Sequence, residues 1–305
     1  MKVVYEPAIP EHLPTLYRAD RVHSEAVAYH GRLTTEESTT FDTQGFLVVR
    51  GSLSQAEVEA ARETLREMTF AEDPECGSIA FEGRIQERLA LTIPSEATPS
   101  KSQFSLGTAG ESMPPLPKEE RAQYVRKFMD FTAGHPALHA LAFHPHIVSL
   151  VEQLMDETPL LYQEMAMIKP PQGREKPWHQ DHAYFNFPLT QRIVGVWIAL
   201  GDVRPENGCM FVISGGHQAG ARSHFLRRDW QICDTESLAM EQTALPMQAG
   251  DVLFFDGKIP HGTPINRTEE VRWALQFHYV PVSMVQTSDE ERLEAFGSEG
   301  KGAVC

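Results

Sequence analysis

Hydrophobic alternation with a period of two runs through the second half of the chain, from Leu160 onward. This period is typical of β-strands, in which successive side chains point to opposite faces of a sheet. Turn-forming pairs such as Pro170-Pro171 and Gly215-Gly216 separate the strands. The candidate strands are residues 160–169, 177–185, 193–200, 209–213, 251–256 and 271–280. Many short strands at this spacing predict a sandwich or a jelly roll.

The first half of the chain has a more helical pattern. Residues 54–57 (SQAE) form a capping box, followed by a helix to about residue 68. The apolar face of this helix consists of Val58, Ala61, Leu65 and Met68. Residues 119–156 are also interpreted as helical, including the segment 124–128, whereas residues 41–50 indicate a turn and a short strand.

Two segments do not follow either period. Residues 71–118 are rich in Gly, Ser, Pro and Glu and are predicted to be a lid, a binding loop or disordered. Residues 217–242 are predicted to form a loop over one mouth of the barrel. We therefore expect a single catalytic domain over 1–305, mainly β with flanking helices. Its parts are a double-stranded β-helix (jelly roll, cupin-like) at 38–282, helical and lid elements at 53–156, and a C-terminal tail at 283–305.

Charge and composition exclude several classes of function. The net charge of −15 argues against a general nucleic-acid-binding protein, which needs a basic surface. The sequence contains no apolar run of about 18 residues, so we expect no membrane span. With no apolar export signal, the four scattered cysteines are expected to be free thiols in the reducing cytoplasm. These cysteines are Cys76, Cys209, Cys233 and Cys305. The sequence leaves the oligomeric state open.

His179 and Asp181 are the first candidate metal ligands. In an extended strand, residues two apart lie on the same side, so this pair can bind one face of a metal ion. His261 is the best third ligand, because distant strands of a jelly roll converge at one mouth. Two histidines and one carboxylate form the usual site of a non-heme Fe(II) oxygenase. His-x-Asp by itself also occurs on surface strands, so the assignment depends on His261.

Arg272 is a candidate anion-binding residue. It begins a strand whose other face is apolar, and it lies eleven residues after His261. A guanidinium in such a position needs an anion, and its shape matches a carboxylate. The alternative is an arginine with a partner at the surface, which is the commoner case.

Two further strands have a face suited to a pocket. One face belongs to residues 193–200 and consists of Gly195, Trp197 and Ala199. It either leaves room for a bound molecule beside an aromatic wall or belongs to a crowded core. The other face belongs to residues 160–169 and consists of Gln163, Met165, Met167 and Lys169. It is either an amphiphilic pocket wall or sheet core with polar ends.

Taken together, these motifs resemble the phytanoyl-CoA dioxygenase family of Fe(II)- and 2-oxoglutarate-dependent oxygenases. The resemblance extends over about residues 38–282. The matching segments are 41–46, 178–185, 197–200, 206–210, 214–217 and 261–266, followed by Arg272. Of these matching segments, 178–185 and 261–272 are the most specific to the family.

The resemblance implies a role for each matching residue. His179, Asp181 and His261 would bind Fe(II). Arg272 would hold the distal carboxylate of 2-oxoglutarate, assisted by the Thr263 hydroxyl. The cosubstrate pocket would also include Trp197, Met165 and, as a further candidate, Gln180. An upstream lysine that some members supply has no match in the sequence. The intact Asp181 disfavours halogenation, since related halogenases lack this carboxylate.

The reaction implied is oxidation of a small-molecule metabolite or natural-product intermediate by O2, hydroxylation being the simplest case, with release of succinate and CO2. Two alternatives remain open: a cupin-like metalloenzyme that does not use 2-oxoglutarate, and a non-catalytic binding protein. Two sets of residues are candidate substrate contacts, although solvated surface is the commoner role for both. They are Arg84, Gln86 and Arg88, and the basic cluster Arg222, His224, Arg227 and Arg228. A fourth protein ligand would block a coordination position, so His182, His217 and His278 are not expected to bind metal.

Overall fold

The chain folds into two facing β-sheets with helices on the outside. The computed structural model describes residues 1–89, 108–110, 112–298, 303 and 305. The strands are β1 (Lys2–Tyr5), β2 (Arg21–Val22), β3 (Val27–Ala28), β4 (Phe46–Arg50), β5 (Ser78–Phe81), β6 (Thr108–Gly110), β7 (Val125–Met129), β8 (Pro159–Lys169), β9 (Lys176–His179), β10 (Val194–Ala199), β11 (Met210–Val212), β12 (His224–Leu226), β13 (Trp230–Ile232), β14 (Thr243–Leu245), β15 (Val252–Asp256), β16 (His261–Thr263) and β17 (Arg272–Pro281). The α-helices are α1 (Thr35–Gln44), α2 (Gln55–Phe70), α3 (Ile85–Arg88), α4 (Lys118–Arg121), α5 (Pro136–Ala142), α6 (Pro145–Met155), α7 (Asp234–Ala239) and α8 (Asp289–Phe296). Short 3₁₀ turns cover Ala122–Tyr124, Asp181–Tyr184, Pro205–Asn207 and Gly216–Ala219.

The strand order brings distant parts of the chain together. The larger sheet has the order β3-β4-β15-β10-β17-β8-β7-β5-β1-β6, and the smaller sheet has the order β2-β14-β11-β16-β9. Strands β12 and β13 form a separate hairpin. Neighbouring strands in both sheets are often far apart in sequence, as in a jelly roll. The architecture is therefore the predicted one, mainly β with flanking helices.

The two faces of the larger sheet have different partners. Alternate residues of β17, such as Leu275 and Phe277, pack into the core beneath helices α2, α5 and α6. The opposite face contributes Trp197 and Phe255 to a second core, shared with Trp178 and other residues of the smaller sheet. The period-two pattern predicted this alternation, because successive side chains of a strand point to opposite faces of the sheet and here meet different cores.

Helix α2 begins where the sequence predicted, but helix α1 was missed. Ser54 and Glu57 form a capping box, with Ser54 N donating to Glu57 Oε2 at 2.8 Å. The predicted apolar face of α2 is buried. The prediction of a turn at 41–44 is wrong, because these residues end helix α1. Gly45, at φ 82°, ends the helix in the left-handed region and leads directly into β4.

The segment 124–128 was predicted to be helical and is a strand. Strand β7 lies between β5 and β8 in the larger sheet, and its Lys127 and Met129 pair with Met167 and Met165. A short apolar run does not distinguish a buried strand from a helix, and here the sheet on both sides decided the outcome. Lys127 and Met129 consequently share a face with the two methionines of β8.

The lid and loop predictions are only partly correct. Within residues 71–118, strand β5 belongs to the larger sheet and α3 packs beside it, whereas residues 90–107 and 111 lie outside the described part. Residues 217–242 contain the β12–β13 hairpin and helix α7 rather than a loop. The sheets also extend upstream of the predicted boundary at 38, since β1, β2 and β3 pair within them.

The cysteines were expected to be free thiols, and for one pair that prediction is wrong. Cys233 and Cys305 form a disulfide, although 72 positions separate them, while Cys76 and Cys209 are free. Neither Cys-x-x-Cys spacing nor proximity in sequence indicates this bond, because the fold brings the C-terminal residue to the start of α7. In the described part of the chain, no helix has both the length and the apolar composition needed to cross a bilayer.

Candidate metal and cosubstrate site

Three ligand groups meet between the two sheets. His179 lies directly opposite His261, because β9 and β16 are antiparallel neighbours. Asp181 Oδ1 lies 3.2 Å from His179 Nε2 and 3.6 Å from His261 Nε2. One donor atom from each residue lies within 4.8 Å of the others, and all three residues are buried. This arrangement can hold one metal ion.

The position of Asp181 arises differently from the prediction. The strand was expected to continue to residue 185, but β9 ends at His179 and a 3₁₀ turn begins at Asp181. Gln180, with φ −114° and ψ 131°, is still extended. The carboxylate therefore remains on the side of His179, and the turn then carries the chain away from the site.

Backbone carbonyls orient both histidine rings. His179 Nδ1 lies 2.7 Å from the carbonyl oxygen of Pro177, and His261 Nδ1 lies 3.0 Å from that of Ile259. Since a carbonyl can only accept, each Nδ1 carries the hydrogen and each Nε2 presents a lone pair to the site. Burial and the neighbouring His179 lower the pKa of His261 to about 4, which keeps this imidazole neutral and able to bind a metal.

The second oxygen of Asp181 is held by the larger sheet. His278 Nε2 donates to Oδ2 at 2.7 Å, and Gln276 Nε2 donates to the same oxygen at 3.2 Å. Burial opposes ionisation of Asp181, but His278 and His261 outweigh it and hold its pKa well below the usual range. The carboxylate is thus an anion whose Oδ1 faces the two histidines. His278 is outside the group of three residues whose ligand atoms meet.

Arg272 is a buried cation without a carboxylate partner among the described residues. Its side chain donates from Nη1 to the carbonyl oxygen of Met167 at 3.2 Å, and its Nε has no hydrogen-bond partner there. The guanidinium lies 5.2 Å from the ring centre of Trp197. Burial and the nearby Arg126 lower its pKa to about 9. An unpaired buried guanidinium is unfavourable, so this cavity suits an anionic ligand.

The cavity contains most of the predicted cosubstrate residues. Trp197, Met165 and Thr263 line it together with Arg272 and the metal-ligand group. The open question about Gly195 is answered in favour of a crowded core. A Cβ there would lie 2.3 Å from the Phe255 ring, so the glycine makes room for that ring and not for a ligand.

Gln180 lies away from the predicted position. Its side-chain amide donates to the carbonyl oxygens of Gly220 and Lys258, and its oxygen accepts from Arg222 N at 2.8 Å. It does not line the cavity. Direct contact with the cosubstrate is therefore unsupported, and its bonds join three loops around the site. His182, bonded to the carbonyl oxygen of Phe187 at 3.1 Å, likewise faces away.

The cavity also includes charged residues that the sequence did not indicate. Lys127 on β7 lines it and has no hydrogen-bond partner in the described ranges. Glu6 bridges Arg174 at 2.8 Å and Arg126 at 3.3 Å, so the N-terminal segment forms one wall. A period-two interpretation of 125–129 would have found Lys127. No local signal indicates Glu6, because its partners lie more than a hundred residues away.

The two sets of candidate substrate contacts are structural. Arg84 donates to the backbone of Gln123 and Pro171, Gln86 to that of Glu6, and Arg88 pairs with Glu120. Residues 85–88 form the short helix α3. In the basic cluster, Arg228 pairs with Glu175 and Asp234, Arg222 with Glu236, and His224 is buried. Acidic partners thus neutralise the arginines at 222 and 228.

The candidate site lies within a segment that matches a known protein family. The family profile described as phytanoyl-CoA dioxygenase (PhyH) matches residues 41–274. The chain belongs to the phytanoyl-CoA dioxygenase family. The peroxisomal phytanoyl-CoA dioxygenase of Homo sapiens is 25% identical over 279 residues, which cover 86% of this chain and 74% of the human protein.

Solved structures of 2-oxoglutarate-dependent oxygenases have the same fold. EctD from S. alaskensis, with 2-oxoglutarate and 5-hydroxyectoine, matches with a TM-score of 0.60 at 19% identity over 95% of this chain and 86% of its own. The epimerase SnoN in complex with Fe³⁺, α-ketoglutarate and nogalamycin RO matches with a TM-score of 0.57 at 20% identity over 83% of this chain and 86% of its own. These likenesses confirm the jelly roll.

Family membership confirms the predicted class of enzyme and its cofactors. This phytanoyl-CoA dioxygenase family member is a non-heme iron dioxygenase that uses 2-oxoglutarate and O2. The buried, unpaired guanidinium of Arg272 fits the dianionic cosubstrate, and the His-Asp-His group fits iron. The cupin-like alternative without 2-oxoglutarate is therefore not retained.

Proposed function

We propose that this dioxygenase oxidises a small-molecule metabolite or natural-product intermediate, with iron held by His179, Asp181 and His261 and with 2-oxoglutarate anchored by Arg272. The bound iron supplies the redox chemistry with O2, and 2-oxoglutarate leaves as succinate and CO2. The single observation that carries the proposal is the meeting of three buried ligand atoms within 4.8 Å beside an unpaired guanidinium.

The donor set supports the metal assignment. The Nε2 atoms of His179 and His261 face Asp181 Oδ1. The other polar atoms of these side chains, the two Nδ1 atoms and Asp181 Oδ2, have hydrogen-bond partners outside the group. His179, Asp181 and His261 would hold the iron with three protein ligands, the number that leaves a non-heme Fe(II) site open to further ligands. The intact Asp181 again disfavours halogenation.

The charges around the cavity support the orientation of the cosubstrate. Arg272 binds the distal carboxylate, and the Thr263 hydroxyl assists. Lys127 lines the same cavity, and we assign it to a carboxylate of the same dianion, the role for which the sequence showed no upstream lysine. Burial lowers the pKa of Lys127, with Glu6 opposing this change and Lys176 adding to it. Trp197 and Met165 form the apolar walls.

The wall of the cavity on the side of Tyr184 and Phe185 supports a small-molecule substrate. Here apolar rings lie beside Lys176 and Asp229, which pair at 2.9 Å, so the wall offers both apolar and hydrogen-bonding contacts. The related EctD and SnoN structures contain small molecules as well. Hydroxylation is the simplest outcome.

A cytoplasmic location stays a prediction. The disulfide between Cys233 and Cys305 weighs against its premise of a reducing compartment.

The proposal is tested by anaerobic titration of the Fe(II) protein with 2-oxoglutarate. We expect a weak visible charge-transfer band and, with O2, formation of succinate. His179→Ala should abolish both, whereas the control His30→Ala, at an exposed histidine, should change neither. Full succinate formation by His179→Ala would refute the metal assignment. An unchanged band in Arg272→Met would refute the cosubstrate assignment alone.

A further inference from the structure

Lys169 is a second buried cation beside Arg272. The two residues are direct partners across β8 and β17, so their side chains lie on the same face of the larger sheet. Lys169 is 3% exposed. Burial and the neighbouring Arg272 lower its pKa well below the usual range. A lysine in such an unfavourable position requires an explanation from its contacts.

The ammonium group of Lys169 has an acceptor for each of its three hydrogens. It donates to Thr263 Oγ1 at 2.8 Å, to the carbonyl oxygen of Thr263 at 3.3 Å and to that of Pro264. No hydrogen is left for a direct bond to a carboxylate. In the part of the chain that the structure describes, Lys169 therefore reaches the cavity through its hydrogen bonds to Thr263.

These bonds determine the direction of the Thr263 hydroxyl. An ammonium only donates, so Thr263 Oγ1 accepts, and its own hydrogen must point elsewhere. Among the residues that the structure describes, this hydroxyl has no acceptor. Thr263 lines the cavity together with Arg272. The hydroxyl hydrogen is thus available to an anion in the cavity.

Two glycines make room for the lysine stem. A Cβ at Gly173 would lie 2.9 Å from Lys169 Cγ, and one at Gly208 would lie 2.8 Å from Lys169 Cδ. Gly208 ends the Glu206-Asn207-Gly208 turn, for which the proposed function gives no other role. A side chain at either glycine would therefore displace the stem that carries this ammonium group to Thr263.

We propose that Lys169 is a positioning residue for the cosubstrate: it orients the Thr263 hydroxyl so that the hydroxyl donates to the carboxylate that Arg272 binds. This inference rests on the proposed function. It predicts that Lys169 contributes to binding of a keto acid with a distal carboxylate and not to binding of one without it.

The test compares 2-oxoglutarate with 2-oxobutanoate, which lacks the distal carboxylate, by anaerobic calorimetry on the Fe(II)-loaded protein. Lys169→Met keeps an unbranched stem without the ammonium, and Lys169→Gln is a smaller polar second variant. Each should raise the Kd of 2-oxoglutarate roughly tenfold to a hundredfold, as expected for loss of a hydrogen bond to a charged group. The Kd of 2-oxobutanoate and the affinity for Fe(II) should stay unchanged.

A double-mutant cycle with Thr263→Val shows whether Lys169 acts through Thr263. The double variant should bind 2-oxoglutarate no more weakly than the worse single variant, and the control Thr263→Ser should bind it normally. The proposal would be overturned if the losses of affinity for 2-oxoglutarate multiplied in the double variant. It would also be overturned if the lysine variants lost the same affinity for both keto acids, or if they bound 2-oxoglutarate as the wild type does. If neither lysine variant folds, Lys169 is a structural cation and the proposal also falls. Wild-type protein that fails to bind 2-oxoglutarate would instead refute the proposed function.

Discussion

Replacing Arg272 by methionine should stabilise the ligand-free protein while removing cosubstrate binding. At about 1.4 kcal/mol per pKa unit, the fall in the pKa of Arg272 from 12.5 to about 9 corresponds to a cost of about 5 kcal/mol in the free energy of folding. Arg272→Met removes this cost but also loses the bond to Met167 and the contact with Trp197. We expect a net gain of about 1–3 kcal/mol, within the range seen when buried charges are replaced by apolar residues.

The sign of the pH dependence follows from the same pKa. Because the pKa of Arg272 is lower in the folded state, the protein bears the full destabilisation at every pH below about 9. It is relieved only as pH rises from about 9 through 12.5. The difference in stability between the wild type and Arg272→Met should therefore be constant between about pH 6 and pH 8.

Denaturant unfolding and thermal melting measure the effect. For a chain of this size, about 1 kcal/mol corresponds to about 2 °C in Tm, so Arg272→Met should melt about 2–6 °C higher. With Fe(II) and with 2-oxoglutarate at about 100 times its Kd, the wild type should gain about 2.7 kcal/mol and the variant almost nothing.

Arg126→Met is the matched control, because Arg126 is equally buried but paired. It contacts Glu82 at 3.1 Å and Glu6 at 3.3 Å, and these carboxylates raise its pKa against the effect of burial. Its loss leaves the buried Glu82 without its ion-pair partner and Glu6 with Arg174 alone, and should destabilise the protein by about 3–5 kcal/mol. If Arg272→Met destabilised the ligand-free protein as strongly as Arg126→Met, the view of Arg272 as a cation awaiting an anion would be wrong.

Three further changes test other parts of the structure. His278→Phe removes the donor that holds Asp181 and should lower the affinity for Fe(II) about 10- to 100-fold in metal titrations; unchanged affinity would contradict this role. Burial raises the pKa of Glu6, but Arg174 and Arg126 outweigh it and lower the value to about 2, so this stabilisation is complete above pH 4.5 and is lost as pH falls from 4.5 to 2. Glu6→Gln should therefore remove about 3 kcal/mol of stability at pH 7 and flatten that part of the acid unfolding curve, and an unaltered curve would argue against the Glu6 ion pairs. Thiol titration of the denatured, unreduced protein should find two thiols, whereas four would disprove the disulfide.

Patterns that depend on neighbouring residues could be predicted from the sequence. The alternation along β17 separates Arg272 and His278 from Leu275 and Phe277, and the structure places these pairs on opposite faces as expected. The capping box at residue 54 is similarly local. The prediction failed at 125–129, where a strand was interpreted as a helix, because only the neighbouring strands distinguish the two.

By itself, the sequence determined the fold class, the residues of the candidate metal site and the presence of an arginine suited to a carboxylate, because strand period, residue chemistry and motif spacing are properties of the chain. The tertiary structure alone decided that Asp181 turns one oxygen to the histidines and the other to His278, and that Lys169 contacts Thr263. It also decided that Arg272 has no carboxylate partner within the described ranges. Those features depend on distances between residues about 100 positions apart in sequence. Such distances arise only when the two sheets pack against each other.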